Sequence, residues 1–144
     1  MNPLAVSVGA VVCTILIHTV VVIAVVNLVR TEKKGGRVGK SLWFDIGIVG
    51  RAIALALVAH LIEMAVWAVV FVMCGEFADF GTAYYHSAVN YTTLGYGDIV
   101  MSAPWRLLGP LEAANGMLLF GVTTAMVFTI MQHLVRARFE DLRD

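Results

Sequence analysis

The first 29 residues contain no Asp, Glu, Lys or Arg, a run longer than the roughly 20 apolar residues a helix needs to cross a bilayer. Two further apolar stretches follow. One runs from Arg51 to about Cys74, broken only by His60 and Glu63, and the other from about Leu108 to Leu134, with Glu112 near its start. In a chain of 144 residues these runs leave little else. Charged residues make up 14%, against about a quarter in an ordinary soluble domain. An all-α membrane protein of one compact unit is expected, without a large catalytic or sensory module. Ten basic residues balance ten acidic ones, so no basic surplus is left for nucleic acid. Cys13 and Cys74 both lie in apolar runs, where a free thiol acts as a small hydrophobe.

Charge placement predicts the topology. Arg30, Lys33, Lys34, Arg37, Lys40 and Arg51 cluster after the first run, and Arg136, Arg138 and Arg143 follow the third. Residues 75–107 hold one basic residue, Arg106. The positive-inside rule then turns the 31–51 linker and the C-terminus to the cytoplasm, and the N-terminus and residues 75–107 outward. Tyr84, Tyr85 and Trp105 would mark the outer interface, and Trp43 and Phe44 the inner one. The expected divisions are a first spanning helix at 1–30, a basic linker at 31–51 in which residues 41–51 either extend the second helix into the cytoplasm or, by preference, lie along the interface as a short amphipathic piece, a second helix at 52–75, a third at 108–134 and a cytoplasmic tail at 135–144. A first span without a basic leader is expected to be retained rather than cleaved as a signal.

Between the second and third spans, residues 80–92 suit a helix too short to cross. They end in Thr92-Thr93-Leu94-Gly95-Tyr96-Gly97-Asp98. An ion that sheds its water must receive oxygens in return, and stacked carbonyls supply them. To turn successive carbonyls the same way, the backbone must alternate between ordinary and left-handed conformations. Gly95 and Gly97, two apart, reach the latter without a Cβ penalty. Non-helical backbone at membrane depth is tolerated only where it lines a water-filled path or is buried in protein. A pore surrounded by several subunits follows.

With these residues the chain resembles the potassium-channel pore-domain family over about residues 50–134, leaving the first span outside. The family's Thr-Val-Gly-Tyr-Gly-Asp filter signature reads here as Thr93-Leu94-Gly95-Tyr96-Gly97-Asp98. The resemblance implies a homotetramer. Dehydrated K⁺ sites would form at the carbonyls of Thr93, Leu94, Gly95 and Tyr96 with the Thr93 hydroxyl, while Thr92 and Asp98 support the filter and its mouth. The Tyr96 ring would brace the filter against the pore helix. Leu94 replaces the commoner Val, Val89 stands where some members carry a carboxylate, and Tyr85-His86 replaces a pair of tryptophans.

The third span looks like the family's pore-lining helix. Gly116 and Gly121 fall at its glycine positions, either as bending points or as close-packing sites; a helix-interior glycine costs about 1 kcal/mol relative to Ala. Gly116, Phe120, Thr123 and Val127 recur at helical spacing and are the expected cavity face. Ionisable residues inside a membrane are expensive, which singles out His60, Glu63 and Glu112, with Asn115 one turn below Glu112. His60 and Glu63, three apart and on one face with Trp67, are expected to pair. That pair either holds neighbouring helices together or braces the filter and makes opening pH-sensitive. His18 stands alone and reads as a packing or lipid-boundary residue.

No span carries arginine at every third position, so no voltage sensor is expected, and the ten residues after the third span leave no room for a ligand-binding domain. The expected function is passive, K⁺-selective conduction in a cell membrane, prokaryotic in the absence of further domains, with K⁺ as permeant ion and no cofactor. The alternatives are a weakly selective cation channel, a non-conducting pore-like scaffold or regulatory subunit, and a K⁺-transporter subunit. Two filter glycines and a short chain argue against the last. No nucleophile–base pair or metal-ligand spacing suggests an enzyme.

Overall fold

The computed structural model describes residues 2–141, and these form four helices with no strand among them: α1 (Pro3–Lys34), α2 (Leu42–Met73), α3 (Phe80–Tyr91) and α4 (Leu108–Asp141). α1, α2 and α4 are each long and apolar enough to cross a membrane. α3, with 12 residues, is not.

Local chemistry sets the ends. The Asn2 carboxamide accepts the Leu4 N–H at 3.0 Å with Pro3 opening α1, where its missing N–H costs nothing. Lys33 and Lys34 sit in the last turn, where cations complement the helix dipole. The Asp79 carboxylate accepts the Thr82 N–H at 2.8 Å and starts α3. That bond holds the Asp79 carboxyl below its ordinary range.

Helix bounds depart from the sequence expectation at the basic end. α1 runs on to Lys34, and α2 begins at Leu42, so the expected linker shrinks to a short turn and residues 42–51 are helix rather than a separate interfacial piece. The reason is charge neutralisation. Asp45 accepts the Gly39 N–H at 3.1 Å and lies 3.7 Å from Arg138, while Glu32 lies 2.8 Å from Arg37 and 3.2 Å from Arg51. α4 likewise continues through most of the expected tail; Arg143 lies outside the described residues. With 32 to 34 residues each, the long helices measure about 50 Å and project beyond a hydrocarbon core of about 30 Å.

Two apolar clusters hold the bundle. One, with Trp67, Phe71, Tyr91 and Leu108, binds α3 to the upper halves of α2 and α4. The other, with Val25, Ile48, Ala52, Met126, Ile130 and Leu134, joins α1, α2 and α4 at the basic end. α1 packs on both α2 and α4. Trp43 is 81% exposed at that end, as an interfacial anchor requires. Tyr84 is turned inward instead, its hydroxyl donating to the Leu61 carbonyl of α2 at 3.2 Å.

Candidate functional site

α3 descends beside α2. Ser87 reaches the Met64 carbonyl at 2.9 Å, and Tyr91, in the last turn, reaches the level of His60 and Glu63. Glu63 is ten residues from the end of α2, so α3 stops about 15 Å down, near the middle of a bilayer. The chain then turns back through residues 92–98.

Thr93, Gly95 and Gly97 have φ of 61°, 60° and 72°. Left-handed residues therefore alternate with ordinary ones along the segment expected to turn its carbonyls one way. Thr93 extends the alternation one step beyond the two glycines. It does so despite its β-branch, for which a left-handed conformation costs about 1–2 kcal/mol. The loop is clipped to the helix end by three backbone bonds. Thr93 N–H donates to the Asn90 carbonyl at 2.8 Å, and the N–H groups of Leu94 and Gly95 donate to the Val89 carbonyl at 2.9 and 3.2 Å. Apolar Val89 thus supports the loop through its backbone, where no carboxylate is needed. Asp98 closes it, accepting from the Tyr85 hydroxyl at 2.7 Å; that bond holds the Asp98 carboxyl below its ordinary range.

Within one chain, residues 92–98 are exposed, Leu94 at 54% and Tyr96 at 67%. Tyr96 pairs with no ring of its own chain among the described residues. His86, at a tryptophan position, packs between Phe71 and Phe77, its ring 5.5 and 5.0 Å from theirs, and its Nε2 lies 2.8 Å from Asn90 Nδ2.

Behind the loop lies a buried polar cluster drawn from all four helices. Glu63, fully buried, places one carboxylate oxygen 2.9 Å from His18 Nδ1 and the other 3.1 Å from His60 Nδ1. The Tyr91 hydroxyl donates to that second oxygen at 2.5 Å and lies 3.0 Å from His60 Nδ1. Both imidazole Nε2 atoms face the Thr123 hydroxyl, His60 at 3.0 Å and His18 at 3.3 Å. Thr123 has one proton to offer, so its hydroxyl can donate to only one of the two imidazoles at a time.

His60 and Glu63 therefore pair as expected. His18 corrects its reading as an isolated packing or lipid-boundary residue: it is 2% exposed and hydrogen-bonded across helices. The signal that would have found it is the cost of any imidazole in a membrane, which demands a partner. Tyr91 and Ser87 were also missed. His18, His60 and Glu63 form one group whose ligand atoms lie within 4.8 Å of one another, a donor set able to hold a metal ion, although hydrogen bonds alone account for their closeness. Nearer α3's start, Glu112 Oε1 meets the Ser87 hydroxyl at 2.5 Å, and Asn115 donates to Thr14 Oγ1 at 2.9 Å. Both are buried inside the chain.

Of the expected cavity face of α4, Gly116 is buried in its own chain, Thr123 and Val127 are half-buried, and Phe120 is partly exposed. Gly116 lies against Tyr91 so closely that a Cβ would strike the Tyr91 carbonyl oxygen. Phe120 stacks 4.3 Å from the His60 ring, Thr123 bonds the histidines, and Val127 packs on the lower cluster. Met117, Gly121, Thr124 and Phe128 are among the exposed residues of α4 and recur at helical spacing. Gly121 has nothing within 4 Å of a would-be Cβ. Close packing thus explains Gly116 and leaves Gly121 unexplained within one chain.

Three membrane-capable helices, with a short helix beside them and a left-handed loop turning back from its end, define a multi-pass membrane protein. Residues 59–133, slightly more than half of the chain, match the family model Ion_trans_2, described as "Ion channel", and the chain belongs to that family. α1 lies outside the matched region. No curated protein and no solved structure matches the chain.

Proposed function

We propose that four copies of this chain surround a common axis and conduct K⁺ passively and selectively. The observation that carries this reading is the left-handed alternation at Thr93, Gly95 and Gly97, held at mid-membrane depth on the end of α3. In that backbone the carbonyls of Thr93, Leu94, Gly95 and Tyr96, with the Thr93 hydroxyl, replace the water of a desolvated ion. Thr92 lies below them and Asp98 forms the outer mouth. The exposure of Leu94 and Tyr96 supports neighbouring subunits as the missing wall. The Met117–Gly121–Thr124–Phe128 stripe is left for the cavity and for those neighbours. The N-terminus and the α2–α4 connection face outward, and the basic ends lie in the cytoplasm of a cell that carries the protein in its plasma membrane.

The test is the reversal potential of the purified protein in a planar bilayer with K⁺ on one side and Na⁺ on the other. A value near the K⁺ equilibrium potential is expected. Robust current reversing near zero would replace the proposal with a weakly selective cation channel and point to Leu94. A formed tetramer without current across a pH series would replace it with a pore-like scaffold.

A further inference from the structure

α1 and α4 are joined near the middle by the His18–Thr123 contact at 3.3 Å and above it by Asn115–Thr14 at 2.9 Å. At the far end, the turn at Gly39 closes against the backbone of Ala137. Between these two closures the helices part and leave a groove of about 720 Å³. Its walls are apolar, with Val22 and Val26 from α1 and Val122 and Ala125 from α4; its floor is Met126 and Ile130 of the lower core cluster.

The groove's polarity is one-sided. Arg30, Lys33 and His133 line it at the end where the charge distribution places the cytoplasm. The carboxylates nearby are engaged elsewhere: Glu32 with Arg37 and Arg51, and Asp45 with Gly39 and Arg138. Arg30 and Lys33 have no carboxylate within ion-pair distance among the described residues, whereas Arg37, Arg51 and Arg138 each have one. From Val22 to Lys33 is 11 residues, about 17 Å of helix, close to the thickness of one leaflet. A long apolar slot of one-leaflet depth, capped at the membrane surface by cations that have no carboxylate partner among the described residues, is complementary to an anionic amphiphile.

We propose that this groove is a binding site for an anionic phospholipid of the inner leaflet. One acyl chain lies between α1 and α4, and the phosphate is held by Arg30 and Lys33, with His133 as an additional N–H donor. The occupant would touch the lower half of α4 directly, so its presence would bias the helix that the proposed pore depends on. One wall comes from α1, outside the region that matches the channel family. Binding itself is measurable whether or not the protein conducts.

The experiment is native mass spectrometry of the full-length protein after exchange into detergent with phosphatidylglycerol or phosphatidylcholine. K⁺ efflux is measured alongside, from vesicles of phosphatidylcholine alone and of the two lipids in equal parts. Retention of phosphatidylglycerol over phosphatidylcholine is expected. Arg30→Gln with Lys33→Gln should weaken it about 10- to 30-fold, in line with two surface cations. Ala125→Trp, which fills the slot and leaves the cations in place, should weaken it as well while the oligomer elutes unchanged. Equal retention of both lipids, or phosphatidylglycerol binding unaltered in both variants, overturns the proposal. So does a disulfide between Val26→Cys and Ala125→Cys that forms between subunits rather than within one, because a neighbour's helix then fills the groove.

Discussion

The end of α3 and the loop that follows it differ sharply, although they are adjacent in sequence. Tyr91 is fully buried, fixed by Glu63 and His60, with Gly116 packed against its backbone. Residues 92–98, immediately after it, touch little of their own chain beyond the Val89 and Asn90 carbonyls and Tyr85. The platform is complete within one subunit; the loop is not. The chain's own contacts thus fix where the loop begins; in the proposed tetramer, neighbouring copies would cover the loop's exposed side chains.

The contrast is broken most completely by Gly95→Ala. With φ at 60°, a side chain there is strained by about 1–2 kcal/mol, yet a Cβ meets nothing within 4 Å in the single chain. Current in a planar bilayer should fall to background while the thermal melt of the protein in detergent barely moves. Gly116→Ala is the converse. Its Cβ collides with the Tyr91 carbonyl, and overpacking of this kind costs about 1–3 kcal/mol. The melt should drop, whereas Gly121→Ala, with open space, should leave it unchanged or slightly raised.

His18→Ala comes next. It removes one of Glu63's three partners, and polar contacts of this type in membranes are worth about 1–2 kcal/mol. A lowered melt, with His18→Gln restoring part of it, is the expected result; an unchanged melt would mean that α1 is only loosely attached.

The smallest effect belongs to the mouth. Because the Tyr85 bond lowers the Asp98 carboxyl, that contact is intact at neutral and mildly acidic pH and is lost only as pH falls below the ordinary carboxylate range. Tyr85→Phe removes the bond, so Asp98 should take up its proton at a higher pH. Titrating current against external pH should show the midpoint moving upward in the variant.

How much of this was legible in the sequence depended on whether a requirement was local. Gly95 and Gly97 announced their conformation because few other residues adopt it cheaply. Thr93 did not, since only its place in the alternation imposes a positive φ. His60–Glu63 followed from a spacing of three on one helix. His18–Glu63 spans 45 positions and two helices, so no spacing rule reaches it. Thr123 and Thr124 are adjacent on α4, and only the packed helices decide that the first faces the histidines. Residues 41–51 could extend the second helix or lie along the interface, and the contacts that Asp45 and Arg51 make with Arg138 and Glu32 decide for the extension.

The Asn115–Thr14 bond, between residues 101 apart in sequence, also bears on biogenesis. α1 is made before α2 and α4, and enters lipid with the Thr14 hydroxyl bonded only to the Val11 carbonyl of its own helix and the His18 imidazole still without Glu63. His18 must wait for 45 more residues to be made and Thr14 for 101. During that interval the first helix is a metastable guest in the bilayer, held by hydrophobicity alone. Its docking is complete only when α4 arrives, so the emergence of that helix is the step that locks the bundle.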